Sequence, residues 1–252
     1  MPSVAPVPLI PEANGVSKLQ FDRIPDAIEA FRAGNFILVL DSPSRENEGD
    51  LIIAASAMTP SKMAFMIHHT SGYICAPLPS SLADALDLPP MIPPSENSDP
   101  NHTAYTVTID ADSAQTTTGI SAQDRCETVR LLAEKGTRPE NFRRPGHVLP
   151  LRAREGGVRE RKGHTEAAVE FARLAGRGDV AVICEVVDEG EEVFSPDGKR
   201  AQERTVVGNG MLRSEGCLAF GKRWGIPVVT IEDLVGYLEE QDGKKEVTNG
   251  TN

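Results

Sequence analysis

Phe36-Ile37-Leu38-Val39-Leu40-Asp41 runs, after Ser42-Pro43-Ser44, into Arg45-Glu46-Asn47-Glu48-Gly49-Asp50, and a second apolar run from Leu51 to Ala55 follows. The two apolar runs read as strands. The loop that joins them carries an arginine and up to four carboxylates. Carboxylates a few ångström apart repel one another unless a cation or polar ligand sits among them, and an oxygen-rich cluster with open positions suits Mg2+. Arg45 beside such a cluster suits a phosphate or a carbonyl-bearing polyol. The alternative is a solvated acidic turn, which is what most charge runs are. Three further stretches count against it.

The first is Arg161-Lys162-Gly163-His164-Thr165-Glu166, placed where a loop containing Gly156-Gly157 gives way to the helical pattern Ala167, Ala168, Phe171, Ala172, Leu174, Ala175. A helix opening at Thr165 or its neighbour offers free backbone N–H groups to an anion, with Arg161 and Lys162 adding charge. The stretch lacks the Gly-Lys-Ser/Thr ending of a P-loop, so a nucleoside triphosphate is not indicated. His164 is either a metal ligand or a helix-start residue facing water. The second stretch is Arg143-Arg144-Pro145-Gly146-His147-Val148, where Pro and Gly predict irregular backbone and leave His147 as an acid–base group or a turn residue. The third is Glu185, alone in Val180-Ala181-Val182-Ile183-Cys184-Glu185-Val186-Val187. It is either buried with a partner or at a strand end facing a cleft, and burial would raise its pKa toward a range useful for proton transfer.

Elements alternate along the chain. Helices are expected over 25–33, 60–70, 122–135, from about 165, over 214–224 and up to 240; strands over 36–40, 51–55, 73–76, 105–109, 180–187 and 228–231. The proline-rich 88–103 segment reads as a loop, and Ser195-Pro196-Asp197-Gly198 predicts a hairpin within 188–212. This mixing indicates an α/β (mixed α+β) sandwich with a mixed, twisted sheet. The expected organisation is a disordered tail over 1–16, a single domain over 17–240 and a disordered tail over 241–252.

Several stretches resemble, in order, the 3,4-dihydroxy-2-butanone 4-phosphate synthase family of riboflavin biosynthesis. They are the Arg-Glu-Asn-Glu-Gly-Asp loop, Ser71-Gly72-Tyr73-Ile74-Cys75, His102-Thr103-Ala104-Tyr105-Thr106-Val107, Thr117-Thr118-Gly119, Arg144-Pro145-Gly146-His147, Gly163-His164-Thr165-Glu166 and Thr230-Ile231-Glu232-Asp233-Leu234. The resemblance implies a three-layer sandwich and conversion of D-ribulose 5-phosphate into L-3,4-dihydroxy-2-butanone 4-phosphate and formate. It implies Mg2+, one or two ions per site, with Mn2+ as a substitute. Carried over by position, Glu46 and His164 are metal ligands, and Arg45, Asp50, Arg161, Lys162, Gly163, His164, Thr165, Glu185 and Thr118 bind substrate. His147, Glu185, Asp41 and Cys75 are the catalytic candidates; Cys75 is equally readable as packing beside the pocket, and Glu48 has no single duty. The resemblance also implies a homodimer with shared sites, His147 coming from the partner, and a monofunctional chain.

The 26 basic and 37 acidic residues, net charge -11, disfavour nonspecific binding to nucleic acid or an anionic membrane. A phosphorylated substrate then needs a local basic patch, for which Arg45, Arg143, Arg144 and Arg161 are available. The absence of a long apolar run or of a secretory leader, and four cysteines without a Cys-x-x-Cys pair, lead us to expect a cytoplasmic protein with reduced thiols. Two other readings use the same residues: another metal-dependent phosphosugar isomerase or aldolase, and a nonenzymatic nucleotide- or RNA-binding module, which the acidic balance disfavours.

Overall fold

The computed structural model describes residues 10–11, 17–190, 192–204 and 210–249. β1 (Ile10–Pro11) and β2 (Ser17–Lys18) form a short antiparallel pair; apart from β1, the tail expected over 1–16 lies outside the described residues. There follow α1 (Ile24–Arg32), β3 (Ile37–Leu40), β4 (Gly49–Ala54), α2 (Pro60–His69), β5 (Cys75–Pro79) and α3 (Ser80–Ala85). β6 (Ile109–Ala111), α4 (Ala122–Ala133), β7 (Phe142–Ala153), α5 (His164–Leu174) and β8 (Ala181–Glu185) come next. β9 (Glu192–Phe194) and β10 (Arg200–Arg204) make the expected hairpin, and α6 (Ser214–Trp224), β11 (Val228–Thr230) and α7 (Ile231–Asn249) complete the order.

Seven strands form one sheet in the order β11-β3-β4-β8-β5-β7-β6. The β11/β3 and β5/β7 pairs are parallel and the others antiparallel, which makes the sheet mixed. Adjacent residues of a strand point to opposite faces, and here both faces are covered. Leu38, Leu40, Leu51, Ile53, Val182 and Cys184 belong to one core with Met63 and Met66 of α2, Val129 of α4 and Cys217 of α6. Ile37, Val39, Ile52, Ala54 and Ile183 belong to another with Phe31 of α1, Phe171 of α5 and Leu234 of α7. The result is the expected three-layer sandwich, and it explains why β3 and β4 read as unbroken apolar runs. Phe31 and Phe171, fully buried with ring centroids 6.1 Å apart, join α1 to α5. Each such side chain stabilises the fold by roughly 1.5–3 kcal/mol.

Several boundaries differ from the sequence reading, among them β5 at Cys75–Pro79 in place of 73–76 and an unexpected α3, and two matter for function. β4 begins at Gly49, so Asp50 lies within a strand, opposite Val39 on one side and Glu185 on the other. β7 runs through Arg143-Arg144-Pro145-Gly146-His147 instead of breaking there; the β6/β7 register jumps from Ile109↔Val148 to Asp110↔Arg143, so Pro145 and Gly146 sit in a bulge. Gly146 is required in that bulge, because a Cβ on it would stand 1.9 Å from the Ile109 carbonyl carbon. The strand expected over 105–109 forms only at 109–111, with residues 105 and 106 making single bridges. α7 continues past Glu240 to Asn249, with Asp242 paired to Arg159. Ser121 caps α4, accepting from the Asp124 N–H at 3.0 Å. The Asp124 carboxylate does not close a reciprocal capping box. It takes the Thr117 hydroxyl at 2.7 Å and the Gly119 N–H at 3.0 Å, which ties the 117–119 loop to the helix.

Candidate active site

The acidic loop is wound around Asp41. Oδ2 of this buried carboxylate accepts from Arg45 Nη1 at 2.8 Å and from the Glu46 N–H at 3.0 Å, and Oδ1 accepts from the Glu48 N–H at 2.9 Å. Both oxygens are committed to the loop, so Asp41, a catalytic candidate by sequence, shapes the site from behind. Asn47 turns the chain with φ of +54°, a conformation Asn tolerates. Arg213, just before α6, closes the loop from outside by donating to the Glu46 and Asn47 carbonyls.

Above this loop lies a small open cleft that gathers Arg45, Glu46, Glu48, Asp50, Cys75, Arg161, His164, Thr165 and Glu185, residues from six separate elements or loops. Glu46 is held from two sides, by Arg45 and by Asn101 Nδ2, which donates at 2.6 Å. Glu185 ends β8 half-buried, and the Ser71 hydroxyl donates to its Oε2 at 2.9 Å. Of the two possibilities read from sequence, Glu185 is therefore the strand-end carboxylate facing a cleft. α5 opens at His164, with Gly163 at its N-cap and no side chain capping the first turn. Arg161 arches over that turn, donating to Glu166 Oε2 at 2.7 Å, the Asn101 carbonyl at 3.1 Å and Thr103 Oγ1 at 3.2 Å. Uncapped N–H groups beside a guanidinium are the kind of surroundings that favour an anion.

The charges are frustrated in the protein alone. Burial, then the Glu185, Glu46 and Asp41 carboxylates, push the Asp50 carboxyl well above its ordinary range. Burial foremost also raises Glu46 and Glu48. His164 goes the other way: burial lowers its pKa to about 4, so the ring is neutral near pH 7. The ring bonds the Val39 backbone, whereas its Nε2 has no partner. Asp50 Oδ1, also without a partner, lies 3.6 Å from the ring's Nδ1. A neutral imidazole with one nitrogen engaged and the other bare is poised to ligate. Among the described residues no group of three or more His, Cys, Asp or Glu could by itself hold a metal ion. That still suits Mg2+, which keeps several waters and takes one or two protein ligands together with substrate oxygens.

The sequence pattern of the 3,4-dihydroxy-2-butanone 4-phosphate synthases matches residues 25–237. This chain belongs to that family. The synthase of Pyricularia oryzae is 53% identical over 242 residues, 96% of this chain and 100% of the relative. That of Saccharomyces cerevisiae is 45% identical, over 87% of this chain and 100% of its own length. A crystal structure of a 3,4-dihydroxy-2-butanone 4-phosphate synthase in complex with two magnesium ions superposes with a TM-score of 0.83 at 55% identity, covering 89% of this chain and 100% of the other. Its cation-free counterpart gives 0.81 at 53% identity over 88% of this chain and all of that one. The chain is accordingly an enzyme of this family, a lyase of riboflavin biosynthesis.

Not every candidate taken from the synthase resemblance lies in the cleft. Lys162 is exposed and reaches Glu232 at 3.6 Å instead of lining the cleft. Gly163 contributes backbone only. His147 and Thr118 do not line the cleft of their own chain. His147 instead pairs through Nδ1 with Asp110 Oδ2 at 2.8 Å, and exposed Thr118 precedes Gly119, which lies against that pair. Cys75 lines the cleft, yet burial and then Glu185 push its thiol well up, so it stays protonated and packs. His69 packs at a tilt against Phe65 and Trp224 and pairs with Glu189 at 2.9 Å. Sequence reasoning assigned no duty to Asn101, Ser71, Thr103 or Tyr105. The last three fall inside quoted family motifs, which was the available signal; Asn101, one residue before such a motif, had none.

His164 makes the stability of the metal-free synthase pH-dependent. Its folded pKa of about 4 lies below the ordinary 6.5, so the unfolded chain takes up the proton first as pH falls. The stability present above pH 6.5 is therefore lost progressively toward pH 4. Urea unfolding in EDTA should show wild type losing on the order of 1–2 kcal/mol more than His164→Gln between pH 7.5 and pH 5. Equal losses would mean that the buried imidazole is not the group responsible.

Proposed function

We propose that the cleft converts D-ribulose 5-phosphate into L-3,4-dihydroxy-2-butanone 4-phosphate and formate, with Mg2+ held by Glu46 and His164. The observation that carries this reading is the set of unpaired buried atoms, His164 Nε2 and Asp50 Oδ1, in a cleft whose carboxylates crowd one another beside an anion site. The match to a synthase crystallised with two magnesium ions supports the choice of cation. Mn2+, which accepts the same oxygen-rich ligands, replaces it. When bound, Mg2+ supplies positive charge to neighbouring substrate oxygens as negative charge develops on them.

The chain's own residues do the rest. The phosphate sits on the N–H groups of His164 and Thr165 under Arg161, which is already aligned by Glu166 and Asn101. This fixes one end of the sugar and directs its carbonyl and hydroxyls toward Glu46, Asp50 and Glu185. The reaction needs a proton removed from C3, loss of the C1 hydroxyl, migration of C5 from C4 to C3 and release of C4 as formate. Glu185, at the mouth of β8 with one oxygen held by Ser71, exchanges protons with the polyol. Arg45 and Asp50 fix the hydroxyls that carry developing charge. Leu151, Ile183 and Tyr105 form the apolar side of the cleft and limit water near the intermediates.

The second acid–base group, His147, comes from the partner chain of a homodimer. Its absence from its own cleft and the 41% exposure of its side chain support this. The protein works in the cytoplasm, where its four buried thiols, free in the structure, stay reduced. Among the described residues no helix is long and apolar enough to cross a membrane.

Formate release from ribulose 5-phosphate tests the reading against an isomerase or aldolase, neither of which yields formate. EDTA should reduce release to background and excess Mg2+ should restore it. Full release in chelator would remove the metal from the chemistry.

A further inference from the structure

The carboxylate of Asp110 has no assigned part in this family's chemistry as described above, yet it is the best-placed polar group outside the cleft. It is 5% exposed at the middle of β6. Oδ1 accepts the backbone N–H of His147 at 2.8 Å, and Oδ2 meets the Nδ1 of the same residue at 2.8 Å. One buried carboxylate thus fixes both the main chain and the ring of an otherwise exposed histidine.

Two pieces of the fold, the glycine-bearing β6/β7 bulge and the 117–119 loop, converge to make this pair. The β6/β7 bulge turns His147 back toward Asp110, and Gly146 lets the two backbones touch. Gly119, at φ of +96°, closes the other side: a Cβ there would stand 1.9 Å from Asp110 Oδ2 and 2.6 Å from His147 Nδ1. The loop that carries Gly119 is anchored by Asp124, whose carboxyl is held down at about 2; burial opposes ionisation, but the bonds from Thr117, Gly119 and Ser121 outweigh it. The neighbouring guanidinium groups make their hydrogen bonds elsewhere, although the Arg125 charge still interacts with Asp110. Arg143 donates to the Ala111 carbonyl and faces Asp112 at 3.5 Å, and Arg125 donates to the Gly72 carbonyl at 2.9 Å.

We infer that Asp110 is the positioning residue for His147. A carboxylate only accepts hydrogen bonds, so Nδ1 carries the ring proton and Nε2 is the nitrogen presented for proton transfer. The network assigns the tautomer and the ring orientation together, with Gly119, tied to Asp124, packed against the pair. This inference rests on the reading of His147 as an acid–base group, and it adds the residue that prepares it.

The test is a cycle of His147→Ala, Asp110→Asn and the double variant, assayed for formate, with 15N spectra of the imidazole rings. Asn keeps the volume of Asp but can donate toward Nδ1, which favours the wrong tautomer. Asp110→Asn should lower kcat by roughly a hundredfold with KM changed less than about threefold. The double variant should be no less active than His147→Ala, because Asp110 acts only through the ring. In wild type the His147 signal should be that of the Nδ1–H form, and in Asp110→Asn it should move toward the Nε2–H form. If His147→Ala is inactive but Asp110→Asn is fully active, the positioning role is wrong and the histidine reading stands. If His147→Ala is itself active, the histidine reading falls and the inference with it. Losses that multiply in the double variant would reduce Asp110 to a structural role. Should Asp110→Asn not fold, the wild-type spectrum decides: an Nε2–H ring overturns the inference.

Discussion

Glu46→Gln should cut formate release by well over a hundredfold while leaving the melting temperature unchanged or higher. The loss follows from the metal. Replacing a group that merely orients a metal ligand typically costs 10–100-fold, so removing the charged ligand itself should cost more. The stability side follows from the crowding. Burial, together with the Asp41 carboxylate, raises the Glu46 pKa in spite of Arg45, so at pH 7 ionising Glu46 is harder in the folded chain than in the unfolded one. A neutral side chain of the same shape removes that penalty, and its carbonyl can still accept from Asn101. Activity and thermal melting measured on one preparation check both halves. A variant that turned over normally would take Glu46 out of the site, and one that melted far lower would mean that the Arg45 pairing outweighs the repulsion.

Mixing two dead enzymes should restore activity. If His147 serves the partner's cleft, His147→Ala and Glu46→Gln homodimers each lack one essential group in both sites. Their heterodimer has one site with both groups intact and one with neither. Random exchange at equal amounts makes half of the dimers mixed, so about a quarter of wild-type sites return, a consequence of the two-fold interface. Co-expression with two affinity tags isolates the heterodimer, in which the specific activity should reach about half that of wild type. A heterodimer as inactive as its parents would place His147 in its own chain's chemistry or outside it.

The acidic loop, the start of α5 and Glu185 were legible in the chain because each is a local contradiction: carboxylates crowded together, a basic turn at a helix N-terminus, a lone charge in an apolar strand. The unbroken runs in β3 and β4 likewise carried the burial of both sheet faces, since a strand with one solvated face alternates. The layer count did not follow from these patterns and came with the family resemblance. Roles set by partners far along the chain were not readable. Even nearby, the chain did not show that Asp41, a catalytic candidate, spends both oxygens on Arg45, Glu46 and Glu48 four to seven residues on. Asp50 meets Glu185 only through the register of β4 on β8, and His147 meets Asp110 only through the bulge in β7. Asn101 reaches Glu46 across 55 residues and Arg213 reaches the same loop across 167. Local preference decides where a chain turns and which side chains must be hidden; which distant atoms then share a hydrogen bond depends on strand order and register, and those are set by the packing of the whole molecule.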